Sequence, residues 1–430
     1  MATNTHAAYG DKKNMVVQAA GLFATHMQRN GTMQKLTGKM PKGTAGAEAT
    51  LRKQTTQHMP IVQVQDLGKG TGDEVTFNLL NPVGALPIMG SNYAEGRGTG
   101  MSFTTDKLRV NQARFPIDMG DSMTTIRSPV DFRAVGRPVA ENLMGRYVDQ
   151  SLLVHMAGAR GHQDNIEWVV PTAEHAKFKE IMVNRVKAPT KNRHYLADGD
   201  GIKEFSQTGD EIDITSADML KMDTVDSMKS LMDQIALPPP IVKFEGDMMA
   251  DDDPLRVWML SPAQYNKFAA DPAFRQFQAA ALARAAQAAG HPLFKGQAGI
   301  WNGFLMIKMP RPIRFYAGDE MQYCTSYTSE NEATALVPDS FGEKFAVDRS
   351  LILGGQAIAE AMGAARQSGI PFFWSEKGDL DHGDKAELLI GAIRGVSKIR
   401  FDVDTGNGHE FTDYGITVVD TAVDSFGRGK

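Results

Sequence analysis

The chain of 430 residues contains a single cysteine, Cys324. One thiol makes neither an internal disulfide nor a four-thiolate zinc site, so the sequence points to folding in a reducing compartment. It has no run of about 18 apolar residues that would span a bilayer, and Met1–Tyr9 has no basic stretch followed by an apolar one, so neither a membrane protein nor a secreted one is expected. It has no excess of positive charge: 46 basic against 51 acidic side chains leave −5, whereas a dedicated nucleic-acid binder carries a basic domain that displaces counterions from phosphates. Hydrophobic residues at 42% and charged ones at 23% are ordinary globular values, and the length allows a large core without staples.

Catalytic signatures are missing as well. Gly68-Lys-Gly-Thr-Gly72 is followed by a strand pattern, not by the helix whose N-terminus a phosphate loop requires, and the Walker spacing is absent. The ten histidines include no HExxH pair, and there is no GxSxG elbow. Asp379, Asp381, His382 and Asp384 read as a solvated acidic loop, and Asp251–Asp253 as another. Asp402-Val-Asp404-Thr-Gly406 has glycine where a calcium loop needs its third ligand, and Glu410 comes too early, so this stretch reads as a turn. Cys324 is expected to be a structural thiol. No catalytic residue, metal site or cofactor follows from the sequence.

What is present is an uneven charge distribution. Residues 1–60 carry eight basic side chains, including Lys12, Lys13, Arg52 and Lys53, against Asp11 and Glu48, so an arm of +6 precedes a body of −11. Within the arm, Met15, Val16, Ala19, Leu22, Phe23 and Met27 recur at helical spacing over about 12–29, while 30–60 is too poor in large apolar residues to fold alone. From Ile61 the period becomes two. Glycine knots at 68–72 and 96–100 flank 73–95, further strand patterns follow at Met101–Thr105 and Lys107–Ile117, and 61–127 reads as one β-rich excursion. Its basic residues are Lys69, Arg97, Lys107, Arg109 and Arg114.

Ser128-Pro129-Val130-Asp131 is a helix-start signature, and Val135, Val139, Leu143 and Tyr147 at four-residue spacing predict a long helix over 128–158, bent or begun at Pro138. Residues 159–215 read as an insertion or surface loop. Ser216 is expected to cap a helix to about Gln234, striped by Met219, Met222, Val225, Met228 and Met232 and stopped by three prolines at 238–240. Arg256–Leu260 is a buried strand, Ser261-Pro262-Ala-Gln264 opens another helix, 273–289 is helical, and Phe304–Lys308 is a strand. A Gly/Ala helix at 354–366 and strands at 397–403 and 415–420 complete the pattern.

The order of segments resembles that of tailed-bacteriophage major capsid proteins with the Hong Kong 97-like fold, and more narrowly their N-four-like branch. The residues that carry the resemblance are Gly70-Thr-Gly-Asp-Glu-Val-Thr-Phe-Asn-Leu-Leu80, Gly98-Thr-Gly-Met-Ser-Phe103, Val110-Asn-Gln-Ala-Arg114, Arg127-Ser-Pro-Val-Asp-Phe-Arg133, Leu260-Ser-Pro-Ala-Gln-Tyr265, and His291-Pro-Leu-Phe-Lys-Gly296 through Ile300-Trp-Asn-Gly303. The resemblance implies an α+β fold divided into an N-terminal arm (1–60), an extended β-hairpin E-loop (61–127), a spine helix (128–158), an insertion (159–215), a peripheral-domain helix (216–240), an axial-domain body (241–366) and a C-terminal return to the sheet (367–430). It implies hexamers and pentamers of the chain closing into an icosahedral shell around double-stranded DNA, with portal, scaffold or decoration proteins as partners. Assembly is expected in the host cytoplasm, with the protein ending in the virion capsid. Subunit contacts are then expected at Lys12, Lys13, Arg52, Lys53, Lys69, Arg97, Lys107, Arg109 and Arg114. No motif marks a Lys–Asn cross-link. The alternatives are an encapsulin-like compartment with the same fold, and an intracellular enzyme with a non-local active site.

Overall fold

The computed structural model describes residues 19–22, 31–38, 58–64, 74–80, 87–89, 95–96, 103–127, 132–235, 237–244, 247, 254–270, 279, 283, 299–363, 370–382, 384–404 and 408–425. Two mixed sheets and one long helix organise them. The central sheet has eight strands in the order Gly299–Trp301, Phe304–Lys308, Arg256–Leu260, Phe345–Leu353, Ile416–Asp424, His194–Asp198 and Gly201–Glu204, with Ile313–Phe315 also on Phe345–Leu353. Arg256–Leu260 is buried throughout and Phe345–Leu353 and Ile416–Asp424 at all but one end each, and the charged side chains inside the last two are paired, Asp348 with Arg314 and Arg349 with Asp420. The helix Pro262–Ala269 begins as its sequence requires. Ser261 Oγ accepts from the Gln264 amide while the Gln264 side chain accepts from the Ser261 amide, so two donors left over by the first turn are satisfied.

The second, five-stranded sheet is built on the long strand Lys385–Lys398. Phe372–Leu380 pairs along one edge of its first half, and Asn111–Asp121 along the opposite edge. Ile358–Met362 pairs with its second half and in turn carries Ile61–Val64 in parallel. Phe373 lies over Gly391, where a Cβ would come within 2.0 Å of the ring, so the missing side chain is what lets the aromatic close down on the strand.

The helix Phe132–Ala157, roughly 39 Å long at 1.5 Å per residue, lies against Lys385–Lys398 and Asn111–Asp121 and reaches the central sheet at its C-terminal end. It runs through Pro138, and the cap at 128–131 lies outside the described residues. Its buried face differs from the expected stripe: Ala140, Met144, Tyr147, Val148 and Leu152 are buried, whereas Val135 and Val139 are about half exposed at 45% and 50%. The face carrying Gly136 and Ala140 meets the sheet, with Met119 and Leu388 at ordinary contact distance from where a Cβ at Gly136 would lie, and the two valines lie on the outward side.

Several further expectations are corrected. The excursion 61–127 is not one loop. Ile61–Val64 and Asn111–Asp121 are strands of the five-stranded sheet, and only Glu74–Leu80 with Phe103–Arg109 forms a hairpin apart from it. Residues 159–215 are not all an insertion, because His194–Asp198 pairs in parallel with Ile416–Asp424 inside the central sheet. The helix expected from Ser216 begins at Met222, because Asp218 accepts from the Gly199 amide and from the amide and hydroxyl of Thr215, closing a turn there instead. Its buried Val225, Met228 and Met232 are the ones anticipated. The expected helix at 354–366 is the strand Ile358–Met362, buried at every residue, because pairing on both edges outweighs the helical propensity of Ala and Glu. The arm's helix is described only at 19–22, where Ala19 and Leu22 are buried in the main core; the rest of the expected segments 12–29 and 30–60 lies largely outside the described residues, as does most of 273–289.

Candidate functional site

Among the described residues the hairpin stands largely apart from both sheets. Seven residue pairs join Glu74–Leu80 to Phe103–Arg109 in antiparallel register, from Glu74 opposite Arg109 to Leu80 opposite Phe103. Among the described residues Glu74–Leu80 packs extensively against its partner strand alone, while Phe103–Arg109 touches the body near the root. A two-stranded hairpin is marginal in water by itself.

Its root is held firmly. Beyond Arg394, whose register partner is Asn111, the long strand continues as Gly395–Lys398 while the other chain turns away at Val110 into the hairpin. Asn184 sits in this fork. Its Oδ1 accepts from the Arg109 amide at 3.0 Å, and its Nδ2 donates to the carbonyls of Arg109 at 2.9 Å and Val396 at 3.0 Å. A Cβ at Gly395 would lie 1.8 Å from the Arg109 carbonyl oxygen, so no other residue type permits this approach. One turn further, Lys187 Nζ reaches Asp106 Oδ2 at 3.2 Å.

Asn184 is presented by an unusual backbone. Val183 has φ 64° and ψ −60°, and the Asn184 amide donates to the Met182 carbonyl at 2.7 Å, which together make a γ-turn of the rare, strained hand. A β-branched residue in this region costs roughly 1–3 kcal/mol and persists only when its surroundings hold it. Here the long helix does so: Tyr147 Oη donates to the Ile181 carbonyl at 3.1 Å and His155 Nε2 to the Met182 carbonyl at 3.2 Å. Burial pushes His155 down to about 4, so it is neutral at ordinary pH and available as that donor.

Of the basic residues singled out in the sequence, Lys12, Lys13, Arg52, Lys53, Lys69 and Arg97 lie outside the described residues. Lys107 and Arg109 lie on the hairpin with largely exposed side chains, and both face Glu74 across the strands, Arg109 Nε at 2.8 Å and Lys107 Nζ at 4.0 Å. The Arg109 hydrogen bond and charge hold the Glu74 carboxyl below its usual range. Much of the hairpin's positive charge is therefore answered within the hairpin. Arg114 stands apart on Asn111–Asp121, exposed and without an ion pair among the described residues. Sequence reasoning missed Asn184, since no motif marks it; the legible signal was Gly395 inside a strand pattern, which calls for close backbone approach.

The remaining candidates are structural. Cys324 is buried and its thiol is pushed up to about 11 by burial. Asp402 and Glu410 lie on a hairpin of Arg400–Asp404 with His409–Asp413, and among the described residues no three His, Cys, Asp or Glu side chains group as a metal site. No helix among the described residues is long and apolar enough to cross a membrane.

A long helix laid across one sheet and ending on another, with a rooted hairpin leaving the first, is the α+β architecture of a phage capsid subunit. The chain belongs to the phage capsid protein family, which it matches over residues 6–425. Among solved structures, the capsid of Ralstonia phage GP4 is similar with a TM-score of 0.64 at 21% identity, over 86% of this chain and 88% of that one. The capsid asymmetric unit of cyanophage Pam1 is similar at 0.55 and 14% identity, over 98% and 99% of the two chains. The acid-stable capsid of Helicobacter pylori bacteriophage KHP30 follows at 0.50 and 11% identity, over 89% and 93%. No curated protein matches the chain. As a member of that family the protein is a phage capsid protein, a structural protein that associates with itself in the shell.

Proposed function

We propose that the hairpin and the basic arm are the parts that join one subunit to the next, and that the shell so built encloses double-stranded DNA without sequence specificity. The observation that carries this reading is the strand Glu74–Leu80, which among the described residues packs extensively on Phe103–Arg109 alone, so a neighbour would supply its other face. Val135, Val139, Met123 and Ile126 support it, as large apolar side chains left substantially exposed on the long helix and the short helix Ser122–Arg127 before it. Exposed ion pairs contribute about 0–1 kcal/mol each, so the basic residues set register and salt sensitivity more than strength. Of those described, Arg114 is the best placed, because Lys107 and Arg109 already face Glu74. An acidic body fits DNA held without tight adsorption. In this reading hexamers and pentamers assemble in the host cytoplasm with portal, scaffold or decoration proteins, and the chain catalyses no reaction.

The test is assembly of the full-length chain, followed by light scattering and electron microscopy at low and high salt. Lys107→Glu with Arg114→Glu should lower shell yield while leaving the subunit folded, and deletion of residues 1–50 should make shells dissociate at lower denaturant. Shells of unchanged yield and stability from both variants would overturn the reading.

A further inference from the structure

We propose that Asn184 is the positioning residue that sets the direction in which the hairpin leaves the subunit, and through it how neighbouring subunits are spaced in the shell; this rests on the hairpin being a joining element. The Asn184 amide imitates a neighbouring strand. It both accepts from and donates to the main chain of Arg109, the last residue of the hairpin, and ties it to Val396 on the long strand. No other side chain bonds to the main chain of both branches of the fork among the described residues. The link continues inward through the strained Val183 turn to Tyr147 and His155, so the hairpin's exit is referred to the long helix rather than to the sheet edge alone.

Strain at Val183 points to function here. A relaxed turn at this position would leave the Asn184 side chain elsewhere, and a strained one persists because three bonds at the fork and two from the helix over-determine it. The Lys187 to Asp106 pair fixes the first turn of the hairpin beyond the root but touches only its side chain, so it limits swing without setting the angle.

The experiment compares the full-length chain with Asn184→Ala and Asn184→Asp. Asp retains the acceptor for the Arg109 amide and lacks both donors. Amide exchange of the unassembled subunit is read over peptides covering 103–112 and, as control, 416–424, and particle diameter and yield are read by microscopy. Asn184→Ala should raise exchange at the root about tenfold, as loss of a hydrogen bond does, leave 416–424 unchanged, and give particles of broadened diameter or several-fold lower yield. Asn184→Asp should fall between. Unchanged exchange at the root overturns the role of Asn184 and leaves the joining role of the hairpin standing. A loosened root with shells of ordinary diameter and yield overturns the control of subunit spacing by Asn184, and leaves the joining role to the charge-reversal and deletion variants. Faster exchange throughout the chain, 416–424 included, overturns the positioning role in favour of general stability.

Discussion

Arg349, fully buried on the central sheet, donates from Nη1 to the carbonyl of Ala157, the last residue of the long helix, at 3.0 Å. A buried guanidinium thus closes the helix end that its own backbone leaves open, and ties it to the central sheet. Nearer the middle of the same helix, about two turns before its end, Arg394 from the other sheet donates to Ser151 Oγ at 2.6 Å. The helix is fastened to one sheet along its side and to the other at its end, so a force on either sheet is carried to the other through one rigid element.

Arg394 is itself held by Glu360, with Nε to Oε1 at 2.9 Å, and Gln63 donates to the other carboxylate oxygen at 2.9 Å. All three are buried. Arg394→Met alone should destabilise the subunit by about 3–5 kcal/mol, since it leaves the Glu360 charge unpaired in the interior. Adding Glu360→Leu should recover part of that loss. Denaturant unfolding of the two single variants and the double one checks this, and a double variant as unstable as the sum would count against it.

Acid should weaken the subunit in two steps. Burial holds His155 and His194 down to about 4 from an ordinary 6.5, so the unfolded chain binds their protons first; the stability they represent is complete above pH 6.5 and falls as pH drops toward 4. Each is worth about 3 kcal/mol at most. Asp420 follows: burial opposes its ionisation, but Arg349 and His194 outweigh burial and hold the carboxyl down to about 2, so its contribution is lost between about 3.8 and 2. A melting temperature flat from pH 6.5 to 4.5 would be the contrary result.

Cys324 should be inert in the folded subunit. With the thiol raised to about 11 by burial, a disulfide exchange reagent at pH 8 should release no thiolate until denaturant is added, and then one equivalent per chain. Prompt reaction without denaturant would place the side chain in a solvent-reached position.

Gly391→Ala should displace Phe373, whose ring occupies the space of the new methyl group, and cost about 1–3 kcal/mol in unfolding free energy as overpacking does. Combining it with Phe373→Leu should restore part of the loss. A cost that is the same with either residue at 373 would mean the ring is not what the methyl group meets.

Short-range chemistry was legible in the sequence. Ser261-Pro262-Ala-Gln264 specifies its own capping box, Arg256–Leu260 and Phe304–Lys308 are strands because their apolar runs are too short for helices and too continuous for a surface, and Met228 and Met232 are buried as their spacing demands. The capsid resemblance rested on the order of such elements. What only the tertiary structure decided are the pairings between distant segments. Ile358–Met362 has the composition of a helix and becomes a strand because Ile61–Val64 and Lys385–Lys398 satisfy both its edges, with Gln63 meeting Glu360 across 297 residues of sequence. Val183 and Asn184 carry no local signature, because a strained turn is stable only after the long helix and the hairpin root have come together around it. Local propensities are worth tenths of a kcal/mol per residue and are written in neighbours; the contacts that override them are worth more and appear only when the chain has closed on itself.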